Sequence, residues 1–138
     1  MAQMEFDIPD KLFSGIGEKL EGIQKDMLYA AAPVYLGHAK RILSATIRHK
    51  EKSSGEMIAN AKMSKVRKVK TGGVKVQLTF KGTNSEGTRN ALKAFEMEYG
   101  NSRQPATPWI DALNSSAVSD VENAMLEVFE KEIQNDGF

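Results

Sequence analysis

The chain has 138 residues, 41% of them hydrophobic and 27% charged, with a formal net charge of +1 and no cysteine. This length and composition fit one domain with a real core and exclude a disordered chain, and the missing cysteine excludes a disulfide framework and any thiolate metal site. The opening MAQMEFDIPD lacks the basic-then-apolar order of a signal peptide, and no apolar run approaches the roughly 18 residues of a membrane span, so a soluble protein made in the cytoplasm is expected.

The two ends, near 1–8 and 134–138, read as frayed. Residues 10–28 place Leu12, Ile16, Leu20, Ile23 and Met27 at steps of three and four, one apolar stripe on a helix with Asp10 as its N-cap. Residues 29–48 carry a second helical pattern through Leu28, Tyr35, Ala39, Ile42 or Leu43, and Ile47. Pro33 within it marks either the first turn of a new helix or a kink. A charged loop follows, and Ser54-Gly55-Glu56 starts a short helical turn.

Residues 63–82 read as a hairpin. Val74, Val76, Leu78 and Phe80 alternate with Lys75, Gln77 and Thr79, which predicts a strand with one buried face. Thr71-Gly72-Gly73 supplies the turn. The first strand, around Lys65–Lys70, is basic, as suits a sheet edge. Residues 82–90 read as a polar loop. Residues 90–99 form a short helix with Leu92 and Phe95 on one face and Gly100 as its stop. The last helix begins near Trp109 and carries Ile110, Leu113, Ala117, Val121, Ala124 and Val128 in one stripe, with Met125 and Phe129 beside it. The sum is an α+β domain spanning 1–138: N-terminal helices, a small antiparallel hairpin sheet, a short helix and a long C-terminal helix.

Charge is segregated along the chain. Residues 1–39 hold three Lys and six acidic residues, a net −3. Residues 40–81 hold twelve Lys or Arg and two Glu, a net +10, and residues 82–138 hold four and ten, a net −6. Such a chain can bind a polyanion through its middle or stack copies of itself, basic on acidic. Lys62, Lys65, Arg67, Lys68, Lys70 and Lys75 are the candidates for a subunit interface or a DNA-channel contact. No Tyr, Trp or Phe is interleaved among them for base stacking, so any nucleic-acid contact is expected to be electrostatic and blind to sequence.

Catalytic chemistry finds little support. His38 and His49 are the only histidines and have no acidic partner at metal-ligand spacing; both read as surface or satisfied structural residues. Glu96 and Glu98, two apart on a helix, read as a solvated face. No phosphate-binding glycine loop or serine elbow is present. No catalytic residue, metal ligand, cofactor or cofactor-binding residue is assigned.

The stretch EMEYGNSRQPATPWIDAL, residues 96–113, is the most distinctive. Glu98-Tyr99-Gly100-Asn101-Ser102 and Pro105-Ala106-Thr107-Pro108-Trp109-Ile110-Asp111-Ala112-Leu113 resemble the tail-completion or neck protein family of long-tailed bacteriophages. That family carries Glu, an aromatic, Gly, Thr and Ser, then a proline loop with an aromatic and an aliphatic residue, then a C-terminal helix. Asn101 stands where the family has Thr, and Thr107 where it has Arg. Ser54–Asn60 and Ala39-Lys40 add looser likenesses upstream. The resemblance implies a non-enzymatic virion protein of the head–tail connection, assembled in the host cytoplasm. It implies a homo-oligomeric, hexameric ring around the DNA channel, with connector or head-completion and tail-terminator proteins as partners and no membrane. The motif loop would comprise Glu98, Tyr99, Gly100, Ser102, Pro105, Ala106, Pro108 and Trp109. The alternative from the charge pattern is a small sequence-independent nucleic-acid-binding module using the basic hairpin 62–81.

Overall fold

The period-two run at 74–80 becomes the centre of the sheet. The structure, a computed structural model, describes residues 3–6, 18–47, 55–102 and 105–136. Strand β4 (Val74–Phe80) buries Val74, Val76, Leu78 and Phe80, and half-buries Lys75, Gln77 and Thr79 on its other face. The register expected from the alternation is therefore the one observed.

Both edges of β4 are paired antiparallel. Along one runs β1 (Gln3–Phe6), in register from Gln3 opposite Gln77 to Phe6 opposite Val74. These residues fall within the expected frayed end, yet they add a strand. Along the other edge run β2 (Ala61–Met63) and β3 (Arg67–Lys68). Met63 faces Leu78 and Arg67 faces Lys75, so four steps on this side oppose three on β4. The two short strands are thus one strand with a bulge of one residue. Ser64 fills the gap: its N–H donates to the Gln77 carbonyl at 2.8 Å, and its Oγ accepts from the Gln77 N–H at 2.9 Å. The hairpin turn falls at the expected glycines, with the Gly72 N–H donating to the Val69 carbonyl at 3.0 Å. Gly72 and Gly73 have φ of 114° and 79°, values that favour glycine.

The two N-terminal helical patterns join. Helix α1 (Glu18–Thr46) runs unbroken through Pro33. Pro33 and Tyr29, whose carbonyl loses its usual donor, are both exposed, so water can satisfy that carbonyl. Leu12, Ile16 and Asp10 lie outside the described residues, as do His49 and Ser54. The buried stripe of α1 is Ile23, Met27, Leu28, Ala31, Tyr35, Ala39 and Leu43. Leu43 is the core residue of its pair, with Ile42 half-buried.

Helix α2 (Glu56–Ala59) is the expected short turn, with Met57 buried. Helix α3 (Asn90–Tyr99) has the expected bounds but not the expected face. Asn90 and Ala94 are buried, while Leu92 and Phe95 are 47% and 52% exposed. Helix α4 (Ile110–Asp136) buries Leu113, Ala117 and Val121 and half-buries Ile110, Ala124, Met125, Val128 and Phe129, the stripe read from the sequence.

Helix α1 packs on β2 and β4 and, most extensively, on α4. Helix α3 covers β4 and leans on α2. Between α1 and α4, the Tyr35 hydroxyl donates to Asn114 Oδ1 at 2.8 Å, and three residues on His38 reaches Asp120. The links advance together along both helices, the sense of a parallel pair.

Candidate functional site

The proline loop closes on α3 through contacts that account for most of its motif. The Glu98 carboxylate turns back and accepts two backbone bonds, from the Trp109 N–H at 2.7 Å and the Ile110 N–H at 3.0 Å. These donors stand at the start of α4, where backbone N–H groups have no helical acceptor and a negative charge is favoured. Glu98 is therefore a cap supplied by another helix, not the solvated residue its spacing suggested. Nothing in the local pattern signals this, because the contact spans a loop and eleven residues of chain.

The Thr107 N–H donates to the Met97 carbonyl at 2.7 Å, and the Trp109 indole N–H to the Ala94 carbonyl at 3.0 Å. The Trp109 ring stands edge-on to Phe80, centroids 5.8 Å apart at 83°. Trp109 is 1% exposed, so the lone tryptophan is a core anchor holding the loop, α3 and the sheet together. Gly100 makes the turn possible. Its φ of 79° and ψ of 173° lie in a region reserved for glycine, and an added Cβ would stand 2.7 Å from the Ala106 backbone nitrogen.

With Trp109 inside, the rest of the motif is displayed. Ser102, Pro105, Ala106 and Pro108 are exposed, and Tyr99 is 64% exposed. Tyr99 and Phe95 form a tilted pair on the surface, centroids 4.7 Å apart. With Leu92 they give α3 an outward apolar face above a shallow dent floored by Phe80, Ala94 and Trp109.

The basic candidates divide into groups. By register, Lys62 stands opposite Thr79 and Arg67 opposite Lys75, and Thr79 and Lys75 share the outer face of β4. Lys62, Arg67 and Lys75 therefore lie on one face of the sheet. The bulge causes this: five residues apart on a regular strand, Lys62 and Arg67 would point to opposite sides. Lys68 belongs to the other side and makes an ion pair with Glu21 of α1 at 2.9 Å, which holds the Glu21 carboxyl below its ordinary value. Lys65 sits in the bulge and Lys70 at the turn, both exposed.

One polar cluster escaped the sequence reading. His38, buried on α1, lies between Asp120 and Arg41. Its Nε2 and Asp120 Oδ2 are 2.8 Å apart, while the Arg41 guanidinium donates to Nδ1 at 2.5 Å. Ser116 Oγ stands 3.5 Å from Nδ1. The set looks like a Ser-His-Asp arrangement, but the Nδ1 lone pair that would take the serine proton already accepts from Arg41. The Ser116 hydroxyl itself donates to the Leu113 carbonyl at 3.1 Å. The cluster is a pin between α1 and α4, consistent with a satisfied structural histidine.

Among the described residues, no group of His, Asp and Glu could hold a metal ion, and no helix is long and apolar enough to cross a membrane. Comparison of the chain with protein-family models, with curated proteins and with solved structures finds no match.

Proposed function

We propose that this chain is a structural protein of the head–tail connection of a long-tailed bacteriophage, acting at the neck or the top of the tail in a ring around the DNA channel. The observation that carries the reading is the clasp. Glu98, Gly100 and Trp109, the residues behind the resemblance, each have a distinct mechanical part in one loop. The same loop holds Tyr99, Ser102, Pro105, Ala106 and Pro108 at the surface. A proline loop pinned at both ends loses little entropy when a partner covers it, which suits an assembly part that works by being presented. In this reading the chain is non-catalytic. It joins other copies of itself in a ring, hexameric by family likeness, and meets connector or head-completion and tail-terminator proteins. DNA is only a sequence-independent channel contact.

Electron microscopy of lysates from a phage lacking this gene tests the reading. Separate filled heads and tails are expected, with joining restored by the protein supplied in trans. Joined, infectious particles formed without the protein would reject it.

A second reading is favoured by the alignment of Lys62, Arg67 and Lys75 on one sheet face: a small module that holds duplex phosphates. It predicts a mobility shift of random duplex by a small species, lost as salt rises. Assembly of the chain with itself, and no such shift, would favour the first reading.

A further inference from the structure

We infer that the outward face of α4 is a docking surface for the basic sheet face of a second copy of this chain, in a head-to-tail contact. The inference rests on the ring reading and adds to it the two surfaces that meet. The residues Asp111, Ser115, Val118, Glu122, Leu126 and Glu130 follow at steps of four, three, four, four and four, so they form one row on α4. All six are exposed, and the row lies opposite the buried Leu113, Ala117 and Val121. It is acidic and apolar by turns: Val118 is 47% exposed and Leu126 51%.

The basic sheet face has the complementary chemistry and spacing. Glu122 and Glu130 are eight helical residues apart, about 12 Å along the axis. Lys62 and Arg67 stand opposite Thr79 and Lys75, four strand steps apart, or about 13 Å. Two cations can therefore meet two carboxylates in register. Between them Leu126 would lie over Gln77 and the aliphatic stems of the basic side chains, which cover apolar surface while their heads reach the carboxylates.

Geometry decides between the ways two copies can meet. The buried residues of β4 face α1, α3 and Trp109 at the start of α4, so the outer sheet face turns away from these helices, while the acidic row lies on the side of α4 away from its own buried residues. On that outer face Glu5 of β1 stands opposite Lys75, whereas Lys62 and Arg67 lie along the other edge of β4, and Lys68 pairs with Glu21 on the α1 side. An isologous pair formed through either face alone would set like charge against like. A heterologous contact sets basic on acidic and leaves one face of each kind open, so it propagates into a ring or a filament.

Charge reversal tests this in the intact chain by sedimentation velocity, read at low and high salt. The wild type is expected to self-associate, with affinity falling about tenfold or more at high salt. Lys62→Glu with Arg67→Glu, and separately Glu122→Lys with Glu130→Lys, should each weaken association by about tenfold or more, since both reversals leave two faces of one sign. An equimolar mixture of the two variants should restore it, because each reversed face then finds its opposite. That rescue also shows that both variants are folded. A wild type monomeric up to about 1 mM at low salt would overturn the contact. So would association unchanged by the reversals, or a mixture that stays dissociated. Loss of duplex binding in the sheet variant, with self-association intact, would assign that face to nucleic acid instead. Failure of the phage reading is distinguishable: self-association could follow this pattern while particles lacking the gene still join.

Discussion

Trp109 gives the most direct test of the clasp. The indole is 1% exposed, stands edge-on to Phe80 and donates to the Ala94 carbonyl. Trp109→Ala removes the whole buried ring and should cost about 3–5 kcal/mol, the usual range for truncating a buried aromatic residue. Trp109→Phe keeps an aromatic edge against Phe80 but loses the indole hydrogen bond and some volume, so about 1–2 kcal/mol is expected. For a chain of this size each kcal/mol moves the melting midpoint by about 3–5 °C, which separates the two variants clearly. Far-UV circular dichroism in urea and on heating measures both. The wild type can be followed in parallel by fluorescence, because its only tryptophan should emit from a shielded site and resist iodide quenching until it unfolds. A Trp109→Ala variant within about 1 kcal/mol of wild type, or indistinguishable from Trp109→Phe, would refute the anchor.

Glu98→Ala removes a charged acceptor shared by two N–H groups at the start of α4 and should cost about 1.5–3 kcal/mol in urea unfolding; Glu98→Gln should fall between it and the wild type. Gly100→Ala meets both a glycine-only backbone conformation and the Ala106 nitrogen, so a loss of about 2–4 kcal/mol is expected, and a neutral effect would contradict the turn. Burial raises the Tyr35 hydroxyl from 10.0 to about 12, so its neutral form stabilises the fold fully below pH 10. That contribution, about 2–3 kcal/mol, is lost as pH rises from 10 to 12, and Tyr35→Phe should flatten the loss of stability in this window. His38→Ala should loosen the α1–α4 pair by about 1–2 kcal/mol. Nitrogen NMR, with the His38 ring told apart from His49 by the His38→Ala variant, should show the His38 tautomer whose Nδ1 accepts from Arg41.

The parts of this fold legible in the sequence are those decided by neighbours in the chain. The alternation at 74–80 fixed its own buried face, and the spacing of Leu113, Ala117 and Val121 did the same for α4, because each element has one face to hide. What escaped depends on partners far along the chain. β1 is four residues long and becomes a strand because β4 offers it an edge. The bulge that aligns Lys62 with Arg67 shows only in the pairing. Helix α3 is the instructive case. Leu92 and Phe95 have the spacing of a core pair, and nothing local says they face outward. The inward side is instead chosen by Ala94, whose carbonyl accepts a hydrogen bond from the indole N–H and whose small side chain leaves room for the Trp109 ring against Phe80. A bulky residue at that position would push the ring away. Once Trp109, fifteen residues ahead, occupies that space, the helix must turn its own aromatics to the surface. The exposed Phe95–Tyr99 pair is therefore the geometric consequence of the buried tryptophan. The same rotation sets Glu98 where its carboxylate meets the open end of α4, so one choice of helix face both builds the clasp and leaves the apolar surface beside it on display.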